Sequence, residues 1–161
     1  MGLDQRAYRD ALGCFATGVT VVTTWSAAGR PVGITVNSFN SVSLDPPLVL
    51  FCLGRASACL EDLLACGRFA VNVLRDDQTA LSRRFASGAT DKWRGIDYRV
   101  EDGGCPILPE ALARFECEVE TTYEGGDHTI VVGRVLRFGH AAEGEPLLFV
   151  RGRYVAPGDG A

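Results

Sequence analysis

The sequence lacks several features that mark whole classes of protein. It has no run of about 18 apolar residues, so we expect no transmembrane helix. Its 161 residues include 16 lysines and arginines but 20 aspartates and glutamates, a net charge of −4. Nucleic-acid binders usually carry a basic surplus instead. The first residues, MGLDQR, lack the apolar stretch of a secretory signal. We therefore expect a cytoplasmic protein that binds neither nucleic acid nor membranes.

The motifs of several enzyme classes are also missing. The sequence has no GxGxxG after a strand, no GxxxxGKS or GxxxxGKT loop and no GxSxG turn. A Rossmann-type dinucleotide fold, a P-loop enzyme and a hydrolase with a nucleophile elbow are therefore not expected.

Neither the cysteines nor the histidines form a recognisable metal or disulfide pattern. The six cysteines include no Cys-x-x-Cys pair, and a secreted disulfide scaffold would be shorter and denser in cysteine. The two histidines, His128 and His140, do not lie at the spacing of zinc ligands. We expect no metal, and we expect most of the thiols to be buried as small apolar side chains.

The length and the apolar content predict one compact domain. With 47% hydrophobic residues the chain can bury a core, and its length suits a single domain. We place that domain at residues 1–155, followed by a short C-terminal tail at 156–161. Apolar residues at helical spacing predict an opening helix over 4–17, with Asp4 as its N-cap and Gly18 just past its end.

Most of the remaining segments predict short strands. Two prolines make 43–47 irregular, and 87–109 is predicted to be a polar surface connection. Turns come too often for alternating strands and helices, so we predict a mainly β fold with short helices, an antiparallel sheet closed into a barrel. Strands are predicted over 19–25, 31–39, 48–53, 68–74, 115–122, 128–138 and 147–155, and helices over 57–66 and from about 76 to 85.

Two of these strands carry a prediction about burial. The continuous apolar run 48–53 is typical of a strand buried on both faces. In 115–122, apolar residues alternate with glutamates, which gives a period of two with one solvated face. That pattern predicts exposed side chains at Glu116, Glu118 and Glu120.

Small polar residues concentrate in the strand 31–39 and just after it. Thr35, Asn37, Ser38 and Ser41 offer hydroxyl and amide groups suited to the polar edge of a flat heterocycle. Gly33 allows another group to approach the backbone closely. The same residues also fit a half-exposed strand followed by Asx and Ser turns, so both interpretations stay open.

Two shorter segments are further candidates. Arg55 and Ser57 come where a helix begins, and free N–H groups at such a position bind phosphate well; an ordinary capped helix with a solvated arginine also fits. His128 follows the tight turn Gly126-Asp127. It either contacts a substrate or merely opens the next strand.

Taken in order, seven segments resemble the short-chain flavin reductase family, the reductase components of two-component flavin-dependent monooxygenases. The resemblance runs from about Tyr8 to Tyr154. The segments are TGVTVVTT at 17–24, TVNSF at 35–39, SLDPPL at 43–48, FAVNVL at 69–74, GDHTI at 126–130, PLLF at 146–149 and RG at 151–152.

The resemblance implies a fold, an activity and a partner. Members adopt the FMN-binding split barrel, an antiparallel split β-barrel, and are usually homodimers with flavin near the subunit interface. They reduce FMN or FAD with NADH or NADPH and pass the reduced flavin to a partner monooxygenase.

The resemblance also implies site residues, which fall into three groups. One group lines the isoalloxazine, a second lies at the flavin phosphate, and a third borders the nicotinamide, where His128 matches the family's histidine. The isoalloxazine group is Pro31, Val32, Gly33, Ile34, Thr35, Asn37 and Ser38, with Cys52, Leu53 and Gly54 beside it; the phosphate group is Ala58, Cys59, Arg84 and Phe85; the nicotinamide group is His128, Phe149, Val150, Arg151 and Gly152.

One residue departs from the family pattern. Cys59 stands where members often have serine or threonine, which weakens the side-chain contact with phosphate. His128 is the candidate catalytic residue, expected to position or stabilise rather than to act as an acid, because the cofactors carry the hydride chemistry.

Two alternatives stay open. One is a flavoprotein that keeps its flavin and reduces another acceptor, and the other is a non-catalytic flavin or haem carrier on the same barrel. The sequence does not choose between FMN and FAD or between NADH and NADPH.

Overall fold

The computed structural model describes residues 2–102 and 104–157, so 158–161 of the predicted tail lie outside the described residues. None of the helices in these ranges is long and apolar enough to cross a membrane. The helices are α1 (Gln5–Leu12), α2 (Ala58–Cys66) and α3 (Thr79–Ala86). The strands are β1 (Thr17–Gly18), β2 (Thr20–Trp25), β3 (Pro31–Val36), β4 (Asn40–Leu44), β5 (Pro47–Gly54), β6 (Arg68–Val73), β7 (Arg99–Val100), β8 (Pro106–Ile107), β9 (Ala113–Gly125), β10 (His128–His140), β11 (Leu148–Val150) and β12 (Arg153–Val155).

Seven strands form one antiparallel sheet in the order β3-β2-β6-β9-β10-β5-β4. β3 and β4 lie at opposite edges of this sheet, although only residues 37–39 separate them along the chain. The sheet must therefore curl until its edges meet. The Ser38 hydroxyl joins the segment after β3 to β5, because it accepts a hydrogen bond from the Cys52 N–H at 2.9 Å and donates to the Cys52 carbonyl at 3.3 Å. The predicted antiparallel split barrel is confirmed.

The main core fills the inside of this barrel. The rings of Phe51 and Phe69 meet edge to face with centroids 5.1 Å apart, and Leu60 and Leu63 of α2 join the same cluster. Gly133 leaves room for Phe69, since a Cβ there would lie 2.2 Å from that ring. A second core, which includes Val21, Leu74, Phe85 and Leu147, lies on the other side of β2.

The N-terminal helix is shorter than the sequence predicts. Asp4 is its N-cap, as predicted, and the carboxylate accepts hydrogen bonds from the Arg6 N–H at 2.9 Å and the Ala7 N–H at 3.3 Å. The helix stops at Leu12, because Gly13 caps it. Thr17–Gly18, predicted as its end, instead pairs with β11 as strand β1.

The prediction that 43–47 is irregular is correct only at the turn Asp45-Pro46. Leu44 pairs with Pro47, so β4 and β5 form a hairpin whose turn contains Asp45 and Pro46. Pro47 is the first residue of β5, where its missing N–H costs little because the strand has just begun.

The burial prediction for 48–53 is wrong, and the one for 115–122 fails at Glu116 although Glu120 is exposed and Glu118 half-buried. In β5 only alternate residues are fully buried, among them Phe51, and the opposite face is half-buried. Glu116 is 1% exposed rather than solvated. Residues 105–108 are themselves buried and cover this part of the sheet, where Cys105 and Ile107 pack on Ala70. The segment 87–109 is therefore partly a core element, not only a surface connection.

All six cysteines are free thiols, and half of them are buried. The expectation that most would be buried therefore goes too far. Cys59, Cys105 and Cys117 are buried, Cys52 and Cys66 are half-buried, and Cys14 is exposed.

Candidate functional site

β3 turns one face towards the barrel core and the other towards α3. Ile34 packs against the core inside the barrel. On the opposite face, the Thr35 hydroxyl donates a hydrogen bond to the Ser82 carbonyl of α3 at 2.6 Å. Gly33 lies against the Phe85 ring, since a Cβ at Gly33 would be 2.6 Å from it and 3.3 Å from Trp93. The close approach that the sequence predicted at Gly33 is thus made by an aromatic ring of the protein itself.

In space, the residues that follow β3 lie against β5. Ser38 bonds to Cys52, two residues before the end of that strand, and Gly54 at its end is paired with His128 of β10. A Cβ at Gly54 would lie 3.9 Å from the His128 Nε2 atom. Four predicted residues from three separate segments therefore lie along one line of the barrel wall. Leu53, between Cys52 and Gly54, is 2% exposed and points into the core.

His128 is held by its neighbour at the tip of the β9–β10 hairpin. Its Nδ1 atom is 2.7 Å from the Asp127 carboxylate, while 49% of its side chain remains exposed. The hydrogen bond and the charge of His128 lower the pKa of Asp127 below its ordinary 3.8. Because the Asp127 carboxylate stays charged at neutral pH, it orients the imidazole, whose Nε2 atom has no hydrogen-bond partner among the described residues.

Arg55 does not face the start of α2, where the sequence placed a possible phosphate contact. Its guanidinium pairs with the Glu124 carboxylate at 2.7 Å, and its N–H donates to the Asp127 carbonyl at 3.0 Å. Ser57 is the N-cap of α2, but its side chain makes no capping hydrogen bond.

The residues predicted at the phosphate lie on two helices, Ala58 and Cys59 at the start of α2 and Arg84 and Phe85 in the last turn of α3. Ala58 is exposed, whereas Cys59 is 6% and Phe85 0% exposed. Burial, with a smaller contribution from Asp62, raises the pKa of the Cys59 thiol to about 12. Cys59 is therefore a neutral thiol at ordinary pH. Arg84 donates a hydrogen bond to the Arg94 carbonyl.

Lys92 lies beside these residues, although its local sequence does not indicate a site. Its ammonium donates to the Phe85 carbonyl at 2.9 Å, and it lies near enough to Cys59 for the two groups to affect each other's pKa. Desolvation lowers the pKa of Lys92. Lys92 lies in a polar segment without hydrophobic periodicity, so the local sequence does not indicate that its side chain reaches α3.

A cavity of about 730 Å³ opens between α1, the end of β3 and the β11–β12 turn. A smaller cavity of about 210 Å³ adjoins it and shares Asn37 and Phe149 in its lining, with Thr35 and Tyr154 beside them. The larger cavity is lined by Arg9, Asp10, Leu12, Gly13, Cys14, Phe15, Thr17, Asn37, Phe149, Arg151 and Gly152. Apolar rings, an amide and two guanidinium groups therefore face one space.

This cavity joins residues from the isoalloxazine and nicotinamide groups. Asn37 comes from the first, and Phe149, Arg151 and Gly152 come from the second; Val150, between them, is half-buried in β11. Among the described residues, the lining does not include His128, which lies at the start of β10 opposite Gly54 of β5. The residues of α1 in this lining carry no signal in the sequence, because an exposed helix does not indicate which cavity it borders.

The comparisons with known proteins agree about the family. Residues 12–158 match the model of the flavin reductase like domain. A probable flavin reductase of Rhizobium meliloti is 48% identical over 96% of the chain, although the chain spans only 49% of that protein. The FMN reductase (NADH) SmoA of Agrobacterium fabrum is 46% identical, with 95% of this chain and 86% of the relative covered.

A solved structure supports the same family. Nitrilotriacetate monooxygenase component B from Mycobacterium thermoresistibile superposes with a TM-score of 0.92 at 46% identity, over 96% of this chain and 87% of that one.

Proposed function

This chain belongs to the flavin reductase like family, and from that membership we propose that it transfers a hydride from NADH or NADPH to FMN or FAD. The reduced flavin then passes to a partner flavin-dependent monooxygenase. The name of the Agrobacterium fabrum relative supports the reaction, and the name of the Mycobacterium thermoresistibile structure supports the kind of partner.

The observation that carries the proposal is the cavity at the end of β3. Its volume of about 730 Å³ lies within the range of pockets that hold cofactors, and its mixed apolar and polar lining suits a flat ring with a polar edge. One buried polar atom of the lining, the Thr17 Oγ1 atom, has no hydrogen-bond partner in the described part of the chain. A ligand with donors and acceptors would satisfy such an atom, so the residues present fit a flavin.

We assign three roles to the protein's own groups. Thr35, Asn37, Ser38 and the backbone of 31–34 and 52–54 hold the flavin ring, and the start of α2 with Ala58, Cys59, Arg84 and Phe85 holds its phosphate. Phe149 to Gly152 and His128 hold the nicotinamide. When both are bound, nicotinamide C4 supplies the hydride and flavin N5 accepts it, so the protein contributes by positioning the two rings.

Because Cys59 is neutral and buried, its side chain adds no charge at the phosphate end. Backbone N–H groups of α2 and the nearby Lys92 ammonium make that end attractive to an anion. Lys92 thereby offsets the loss of the hydroxyl that family members often carry at position 59.

The proposal extends to the assembly. Residues 1–155 form one flavin reductase domain, and two copies form a homodimer in the cytoplasm. Large apolar side chains on the surface are candidates for an interface between copies: Leu44 is 94% exposed and Phe138 73% exposed.

The test is to follow NADH and NADPH oxidation by purified protein without oxygen, while FMN or FAD is titrated past the protein concentration. We expect oxidation to continue far beyond one equivalent of protein and to scale with the added flavin. Oxidation that stops at one equivalent would favour a flavoprotein that retains its flavin for another acceptor. No oxidation with either nucleotide would leave a carrier and overturn the proposal.

A further inference from the structure

Two arginines from neighbouring elements line the large cavity. Arg9 lies on α1 and Arg151 on the turn between β11 and β12. Neither forms an ion pair with any described residue, unlike Arg55 or Arg134. Asp10 is the single acidic side chain among the described residues of the lining. Among the described residues, the cavity wall therefore has one more positive than negative side chain.

The position of Arg151 is fixed by the backbone. Its φ angle is +49° and that of Gly152 is +73°, which a two-residue hairpin turn requires at both central positions. Glycine, asparagine or aspartate would be more usual than arginine at the first of these positions. The Arg151 N–H donates to the Gly13 carbonyl at 2.7 Å. This bond joins the turn to the end of α1 and keeps the two arginines on the rim of the same space.

The other residues that line the cavity suit a ligand with both aromatic and polar parts. Phe15 and Phe149 offer apolar rings, and Asn37 offers an amide. Thr17 also lines the cavity, and its hydroxyl oxygen is buried without a hydrogen-bond partner in the described residues. A nicotinamide nucleotide combines a flat ring, hydroxyl groups and phosphates, and planar guanidinium groups bind phosphate well.

We infer that Arg9 and Arg151 together bind the phosphates of the reduced nicotinamide nucleotide, so that the N-terminal helix forms one wall of that site. This inference rests on the proposed function and adds to it the contribution of α1. Arg9 and Arg151 act by holding the nucleotide, so their loss should raise KM more than it lowers kcat.

The experiment compares Arg9→Gln and Arg151→Gln with two matched controls, Arg6→Gln on α1 and Arg153→Gln on β12. Both control arginines are exposed, and neither is among the described residues of the cavity lining. Steady-state kinetics at saturating flavin give KM and kcat for NADH. Calorimetric titration of flavin-loaded protein with NAD⁺ measures binding without turnover.

We expect each cavity variant to raise the KM for NADH and the Kd for NAD⁺ about tenfold, the loss typical of one charge-assisted hydrogen bond. The controls should stay within about twofold. Arg9→Lys keeps the charge and should recover part of the affinity. The affinity of the wild-type protein should also fall as salt is added.

Unchanged NAD⁺ affinity in both cavity variants would overturn the inference. So would a weakened flavin affinity with unchanged NAD⁺ binding, because the cavity would then hold the flavin phosphates instead. In either case the proposed function stands as long as the wild-type protein still oxidises NADH with added flavin, so the two failures can be told apart.

Discussion

At the scale of single residues, His128 combines an exposed ring with a fixed orientation. Its Nδ1 atom is bonded to Asp127 at 2.7 Å, and Gly54 on the neighbouring strand leaves space beside Nε2. A charged carboxylate that orients an imidazole is a common way to present the second nitrogen to a ligand. The arrangement suits a group that contacts the nicotinamide and does not need to give up a proton.

We predict that His128→Ala raises the KM for NADH or slows hydride transfer by about tenfold, the effect of one lost polar contact. The Kd for FMN or FAD should change less than about twofold. Stopped-flow reduction and flavin fluorescence titration measure the two quantities. A folded variant that has lost its flavin would contradict this role for His128.

A second test at this scale is Asp127→Asn. If Asp127 only orients the ring, the amide variant keeps part of the interaction and its defect is smaller than that of His128→Ala. A defect equal to that of His128→Ala would mean that the carboxylate charge itself is required.

At the scale of elements, the packing of α3 on β3 decides the shape of the site. Gly33 permits this contact, because the Phe85 ring occupies the space where a side chain would begin. Phe85 and Trp93 stack edge to face with centroids 5.0 Å apart. β3 therefore cannot move outwards without disturbing α3.

Gly33→Ala should lower the free energy of unfolding by about 1–3 kcal/mol, because the Cβ forces the Phe85 ring to shift. Gly18→Ala is the matched control, since a Cβ at Gly18, also in a strand, meets no atom within 4 Å. Its effect should stay within about 0.5 kcal/mol. Chemical denaturation measures both changes. A Gly33→Ala protein as stable as the control would contradict the tight contact.

The sequence predicts elements well where the signal is local. α2 and β6 lie within about a residue of their predicted bounds, because an N-cap and a run of β-branched residues are local features. It fails where the cause is tertiary. Glu116 alternates with apolar residues like any solvated strand position, yet residues 105–108 cover it.

At the candidate site too, the sequence predicts residues with a local signal and fails at those placed by tertiary contacts. The polar end of β3 and the Gly-Asp-His turn were visible in the sequence, because their residue types are unusual for strands. Arg9, Thr17 and Lys92 were not, because nothing in their local sequence indicates that they border a cavity or another helix.

At the scale of the whole molecule, the buried thiols make the folded protein less stable at alkaline pH. Burial raises the pKa of Cys59, Cys105 and Cys117 to about 12, against an ordinary value of 9.0. The folded protein thus holds protons that the unfolded chain releases first. The stability due to these neutral thiols is fully present below pH 9 and is lost as the pH rises from 9 to about 12.

We predict that the free energy of unfolding falls above pH 9 by up to about 1.4 kcal/mol per pH unit for each such thiol. Urea unfolding at a series of pH values and one protein concentration measures this slope. Cys117→Ala should make it less steep, whereas Cys14→Ala, which removes an exposed thiol, should leave it unchanged. A slope identical in wild type and Cys117→Ala would contradict the prediction.

The central claim about the whole molecule is that it moves a hydride from nicotinamide to flavin. The most direct measurement is single-turnover flavin reduction without oxygen, with NADH deuterated at C4 on one face or the other. We predict that the flavin colour and the NADH absorbance disappear at one common rate, and that one of the two labelled nucleotides slows both. Loss of NADH without flavin reduction, or a flavin phase that neither label slows, would contradict the claim.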